Sequence, residues 1–242
     1  MSDVLAASRL GLDRAKNLIV QSRALIFDVD GTLAETEEVH REAFNAAFVR
    51  ASLGWCWGRS VYKDLLRVTG GKERIRAFDR LRGGTAVLSD DEVAELHEIK
   101  TTVYAESIAR GGCPLRPGVE ALLSAARIRG QRLAIATTTS RGNIDALLAA
   151  ALGQGWTDWF ATIVAGDEVS KKKPAPDVYL EVLSRLNLSA PECLAIEDSV
   201  NGLVAASRAG IPVLISRSAY FWDDDFAAAV LAVDDLTELT GV

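Results

Sequence analysis

Cysteine, methionine and histidine are all scarce in this 242-residue chain, with three, one and two copies. Cys56, Cys113 and Cys193 are odd in number and lack CxxC spacing, which excludes a disulfide-stapled miniprotein and predicts free thiols in a reducing compartment. No His/Cys cluster forms, so zinc is not the expected metal. Long apolar runs are also missing, since none approaches the ~20 residues of a transmembrane helix. Excess positive charge is missing too: 27 Lys and Arg stand against 33 Asp and Glu, for a net charge of −6. A nucleic-acid or anionic-membrane partner would therefore need a local basic patch working against the overall field. We expect no nucleic acid, no membrane, and a cytoplasmic monomer. Residues 1–22 hold neither a secretory apolar block nor an acid-free transit composition, because Asp3 and Asp13 accompany Arg9, Arg14 and Lys16. They are expected to be an appended helix or a loose tail. Internal repeats and low-complexity segments are absent, and the five tryptophans are scattered, as core packing would place them.

What is present suits a globular enzyme. Hydrophobic residues make up 49% of the chain, enough for a sizeable core. Short apolar runs at 24–27, 133–136, 162–165, 194–196 and 213–215 read as buried strands, and helical segments at 143–152, 176–186 and 199–209 lie between them. That alternation predicts an α/β fold with a doubly wound parallel sheet. From Thr36 to about Cys113 the pattern breaks. No buried strand is evident, and apolar residues recur at helical spacing in Val39, Ala43, Ala46, Ala47 and again in Val93, Leu96, Ile99, Val103. An all-helical insert follows the first strand, with turn chemistry at Gly83-Gly84 inside it and at Gly111-Gly112-Cys113-Pro114 after it. The expected organisation is an N-terminal extension over 1–22, a core over 23–36 and 115–242, and a helical cap over 37–114.

In open parallel sheets, ligands bind beyond the carboxyl ends of the strands. Here those ends carry Asp28-Val-Asp30-Gly31-Thr32, Thr137-Thr138-Thr139-Ser140, Lys171-Lys172-Lys173-Pro174 and Glu197-Asp198-Ser199. Asp28 and Asp30 facing Glu197 and Asp198 would repel one another unless a cation sat between them, and a hard, oxygen-liking ion such as Mg²⁺ suits that set. A carboxylate nucleophile beside Mg²⁺, with a hydroxyl and a lysine to balance phosphate oxygens, is equipment for phosphoryl transfer through an aspartyl-phosphate. Asp28 is the expected nucleophile and Asp30 the acid and base, a role calling for a carboxyl pKa above its ordinary value. Thr137 and Lys173 are expected at the phosphate, whereas Lys171, Lys172 and Arg141 read as solvated charges.

At these positions the sequence resembles the haloacid dehalogenase superfamily of phosphotransferases, whose four motifs match Asp28-Val-Asp30-Gly31-Thr32, Thr137, Lys173 and Glu197-Asp198. The resemblance implies a Rossmann-like core with an inserted cap. It also implies a metal held by Asp28, the main-chain carbonyl of Asp30 and a fourth-motif acid, Asp198 before Glu197. Glu35-Thr36-Glu37-Glu38-Val39-His40, Thr69-Gly70-Gly71-Lys72-Glu73-Arg74, Leu115-Arg116-Pro117-Gly118 and Glu197-Asp198-Ser199-Val200-Asn201-Gly202 are similar to the CbbY group, phosphatases of the Rubisco inhibitor xylulose 1,5-bisphosphate. That implies a small sugar phosphate as partner and a place in carbohydrate metabolism near the Calvin cycle. His40 also fits β-phosphoglucomutase, a mutase with a similar cap, and a non-catalytic sugar-phosphate-binding protein is the remaining alternative. Gly70, Gly71, Lys72 and Arg74 suit an anion cradle for a second phosphate. Glu37, His40, Tyr62 and Thr138 complete the expected substrate contacts.

Overall fold

Ala24–Phe27 forms the central strand β1, buried on both sides. Its successive side chains point to opposite faces, so Leu25 and Phe27 join one apolar cluster while Ala24 and Ile26 join the other. The neighbouring strands β2 (Arg132–Ala136) and β4 (Cys193–Glu197) repeat the division. Leu133, Ile135, Leu194 and Ile196 lie on the first face, and Ala134, Ala136, Cys193 and Ala195 on the second. With β3 (Thr162–Val164), β5 (Val213–Ser216) and β6 (Leu231–Val233) they make one parallel sheet in the order β3-β2-β1-β4-β5-β6. The doubly wound α/β architecture is the expected one. The sixth strand is an addition, because Leu231–Val233 ends an alanine-rich stretch with no polar residue to mark where a strand begins.

The computed structural model describes residues 2–83, 87–111 and 113–241, with side chains from residue 9 onward. Gly84 and Gly112, two of the expected turn residues, lie outside them. Helix α1 (Ser2–Gln21) covers one flank of the sheet by burying Ala15 and Ile19 in the first cluster. Gln131 ties its end down through the carbonyls of Ile19 and Ser22, at 2.7 and 2.5 Å. No helix among the described residues is long and apolar enough to cross a membrane.

Between β1 and α6 (Val119–Ile128) the described chain is helical: α2 (Glu37–Arg50), α3 (Arg59–Leu65), α4 (Gly71–Leu81) and α5 (Asp90–Ala109). These helices close on their own apolar cluster, in which Phe44, Phe48, Trp55, Trp57, Tyr62, Ile75, Val93 and Leu96 are buried. Trp55, Trp57 and Trp156 are buried as expected, but Trp222 is exposed. The buried stripe of α5 is Val93, Leu96, Lys100, Tyr104 and Ile108, so Ile99 and Val103 sit at its margin. The two chain crossings run side by side through an antiparallel bridge between Ala34 and Leu115, and the Arg116 amide donates to the Leu33 carbonyl at 2.8 Å. The buried Arg116 guanidinium donates to the carbonyls of Gly31, Ser216 and Arg217 and pairs with Glu35 at 3.1 Å, pinning the first crossing to the sheet edge. The remaining helices, α7 (Arg141–Leu152), α8 (Asp177–Leu186) and α9 (Val200–Arg208), cross between strands of the sheet.

Candidate active site

The sheet changes direction at β1, whose neighbours β2 and β4 lead away to opposite edges, so the carboxyl end of β1 is a topological switch point. Register aligns the ends: Phe27 lies level with Ile135 and Ile196, and the Asp28 amide donates to the Ile196 carbonyl at 3.0 Å. Asp28, Thr137 and Asp198 are thereby brought to one floor, with Thr137 buried and lining the cleft above it. Lys173 reaches in from the segment before α8 and donates to Asp28 Oδ1 at 2.6 Å and to Glu197 Oε1 at 2.5 Å. Tyr179 donates to the same Glu197 oxygen at 2.5 Å. Glu197 is fully buried, does not line the cleft, and holds Lys173 from behind.

One carboxylate oxygen from each of Asp28, Glu197 and Asp198 lies within 4.8 Å of the others. Burial pushes the Asp28 carboxyl up to about 8, with Glu197 and Asp30 adding to the effect and Lys173 opposing it. Burial, Asp28 and Glu197 likewise hold Asp198 well above the ordinary range. Asp198 Oδ2 is buried without a hydrogen-bond partner. Gly31, at φ 81°, turns the backbone beneath it, and a β-carbon there would lie 1.9 Å from that oxygen. An all-oxygen donor set, mutually repelling carboxylates and an orphaned oxygen together fit a hard divalent cation.

Asp30 is placed differently. Its Oδ1 accepts from Thr36 Oγ1 at 2.6 Å and lies 2.9 Å from His40 Nε2. His40 Nδ1 lies 2.7 Å from the buried Lys100 ammonium. An ammonium can only donate, so while Lys100 is protonated this contact makes Nδ1 an acceptor and places the imidazole proton on Nε2, toward Asp30. Burial alone would raise the Asp30 pKa, but His40, Thr36 and Lys100 outweigh it and hold the carboxyl below its ordinary range. The expected upward shift is thus reversed in the free protein, since these partners favour the carboxylate. His40, expected to contact sugar, also grips Asp30, and its ring stacks on Tyr104 with centroids 4.2 Å apart. Lys100 is pushed down to about 7 by burial.

The helical insert supplies the facing wall. Glu37, Gly70, Gly71, Lys72 and Arg74 line the same cleft as Asp28 and Thr138. Tyr62 does not. Its ring is buried beside Phe44 and Trp57 in the aromatic cluster, and its hydroxyl donates to Glu37 Oε2 at 2.7 Å while accepting from Arg74 at 3.0 Å. It fixes two wall residues from behind. Lys172 also departs from expectation, for it is half-buried, lines the cleft and pairs with Glu73 at 3.0 Å. Lys171 is exposed, and Arg141 pairs with Asp145 at 2.9 Å outside the cleft. Insert and core are held together over the cleft by Lys172–Glu73, by the Thr69 hydroxyl on the Lys173 carbonyl and by Tyr220 donating to Glu38 at 2.6 Å.

Several lining residues carried no motif signal, among them His97, Asn143, Asp167 and Phe221. Lys100 had a weak one, because a lysine on the Val93, Leu96, Tyr104 stripe interrupts an otherwise apolar face.

The family model of haloacid dehalogenase-like hydrolases matches residues 22–210. The protein CbbY of Rhodobacter capsulatus is 51% identical over 218 residues, covering 90% of this chain and 95% of that one. The plasmid-borne CbbY of Cupriavidus necator is 48% identical over 217 residues, covering 88% and 85%. Among solved structures, a mutant CbbY from Rhodobacter sphaeroides in complex with xylulose-(1,5)bisphosphate superposes with a TM-score of 0.85 at 42% identity, covering 90% of this chain and 96% of that one.

Proposed function

The chain belongs to the haloacid dehalogenase-like hydrolases, and from that membership we propose that it is a Mg²⁺-dependent phosphatase of a small sugar bisphosphate, with xylulose 1,5-bisphosphate as the substrate. The observation that carries this reading is a single cleft with two chemically different ends. Asp28 and Asp198 stand at the floor, Lys72 and Arg74 line the insert side, and Lys172 reaches into the same cavity from the segment before α8. A monophosphate needs only the floor. The relative solved with xylulose-(1,5)bisphosphate supports the choice of sugar. We place the cap at residues 37–114, between the paired crossings.

Asp28, Asp198 and the main-chain carbonyl of Asp30 would hold Mg²⁺, with Glu197 behind them. When bound, the cation offsets the carboxylate repulsion and balances charge on the phosphate oxygens. Asp28 attacks phosphorus, the bond from phosphorus to the sugar oxygen breaks, and Asp30 gives that oxygen its proton. Water then attacks the aspartyl-phosphate, losing its proton to Asp30 as inorganic phosphate forms and Asp28 is regenerated. Asp30 is an ionised base in the free protein. A phosphate dianion beside it raises its pKa again, so the acid form belongs to the substrate complex. Lys173 holds Asp28 in place and, with Thr137, faces the transferred phosphate.

Lys72 begins α4 with Gly70 and Gly71, where helix N–H groups and an ammonium converge on the cleft. Lys72→Ala should lower kcat/KM for the bisphosphate about ten- to hundredfold, as expected for a lost charge-assisted contact of ~1.5–3 kcal/mol. Hydrolysis of a small monophosphate should change less than about threefold. Equal losses on both substrates would show that Lys72 acts through cap closure and not through a second phosphate.

A further inference from the structure

We propose that His97 is a further contact for the distal phosphate and that it takes up a proton when a bisphosphate binds. The inference rests on the phosphatase reading above and adds a proton to its binding step.

His97 lies on α5 one turn before Lys100 and lines the cleft on the cap side. A β-carbon on Gly71 would lie 2.5 Å from His97 Nε2, so the imidazole packs on bare backbone where α4 begins. Neither ring nitrogen has a hydrogen-bond partner among the described residues. The titratable groups acting on the ring are Lys72 from α4, Lys100 from its own helix, Lys172 from the segment before α8, and His40 from α2. Glu73, the neighbouring carboxylate on α4, is committed to Lys172 at 3.0 Å. An imidazole with both nitrogens uncommitted, set among three lysines at the mouth of a helix, is built to meet an anion.

Protonation follows from charge. Burial and the surrounding cations hold His97 down to about 3, so the ring is neutral in the free protein at any physiological pH. A negative charge at ~4 Å favours imidazolium about a thousandfold at an effective permittivity of ~20. A phosphate dianion supplies two such charges, enough to carry the ring from neutral to protonated near pH 7. The proton comes from solvent. Bisphosphate affinity should then fall as pH rises from 6 to 8, whereas binding of phosphate at the floor should lack this component.

The chain has only two histidines, so imidazole NMR resolves two rings, and His97→Gln assigns them. The test uses Asp28→Asn protein with Mg²⁺ at pH 7, titrated with xylulose 1,5-bisphosphate so that binding proceeds without turnover. The His97 Cε1–H signal is expected to move from the neutral to the imidazolium position. In the otherwise wild-type background, His97→Gln should raise KM for the bisphosphate about tenfold. If His97→Gln fails to fold, the Asp28→Asn protein still decides the matter, because two rings that both stay neutral in the saturated complex overturn the proposal. That outcome leaves the phosphatase reading standing. A wild-type protein that neither binds nor hydrolyses the bisphosphate removes both.

Discussion

Asp28→Asn is expected to lower turnover by at least about 10⁴-fold while making the metal-free protein more stable. The amide keeps the size of the side chain but loses the oxygen anion that in the proposed mechanism attacks phosphorus, and the neighbouring acids are engaged elsewhere, Asp198 at the proposed cation site. Asp30 is held by Thr36 and His40, and Glu197 is held by Lys173 and Tyr179. The gain in stability has the opposite origin. The Asp28 pKa lies at about 8 in the fold against 3.8 for the free group, so the folded state favours its neutral form. Its favourable contribution is fully present below about pH 4 and is lost as pH rises toward 8. The variant, uncharged throughout, should therefore melt progressively higher than wild type across that window when both are stripped of metal. Phosphate release and thermal melts at pH 5 and pH 8 check the two halves. Turnover within tenfold of wild type would remove Asp28 as nucleophile, and equal melting temperatures at pH 8 would contradict the picture of a crowded acid cluster.

Lys173→Met should be costly to both stability and activity. The ammonium is buried between Asp28 and Glu197, and neither carboxylate pairs with another cation among the described residues. Removing one partner of a buried ion pair typically costs ~3–5 kcal/mol because the remaining charge stays desolvated. For a chain of this length that is a fall of at least about 6 °C in melting temperature. Turnover should drop about 10²–10³-fold, the usual effect of deleting one group that faces developing charge. Mg²⁺ should return part of the lost stability, since it balances the same carboxylates. A melting temperature within 2 °C of wild type, measured by calorimetry at pH 8 without metal, would mean that Lys173 is not the counter-ion of the cluster.

The core was legible in the sequence because each strand is a short, uninterrupted apolar run that stops at a chemically distinctive residue. Phe27 gives way to Asp28 and Ala136 to Thr137, and the sheet sets those residues side by side. β6 escaped because alanines before Leu231 blur its start. The cap wall was only half legible. Gly70, Gly71 and Lys72 announce a helix start that can face an anion, but periodicity reads apolar residues, and Lys100 and His97 are polar members of the α5 inner face. Tyr62 misled because a phenol with a polar tip suits a ligand contact equally well as a buried link, and the aromatic packing of Phe44 and Trp57 decided between them. The Asp30 pKa was the furthest from reach. It depends on His40 and Lys100, which come from separate helices and meet only when the cap is folded.

The central claim is that one cleft removes phosphate from a sugar bisphosphate with Mg²⁺ at the Asp28 and Asp198 end. The most direct measurement is free phosphate released per molecule of xylulose 1,5-bisphosphate consumed, with Mg²⁺ and with a chelator. One phosphate per substrate lost in Mg²⁺, and no reaction in chelator until Mg²⁺ is restored, is the predicted result. Substrate loss with only slight phosphate release would point to a mutase, and undiminished hydrolysis in chelator would contradict the cation site.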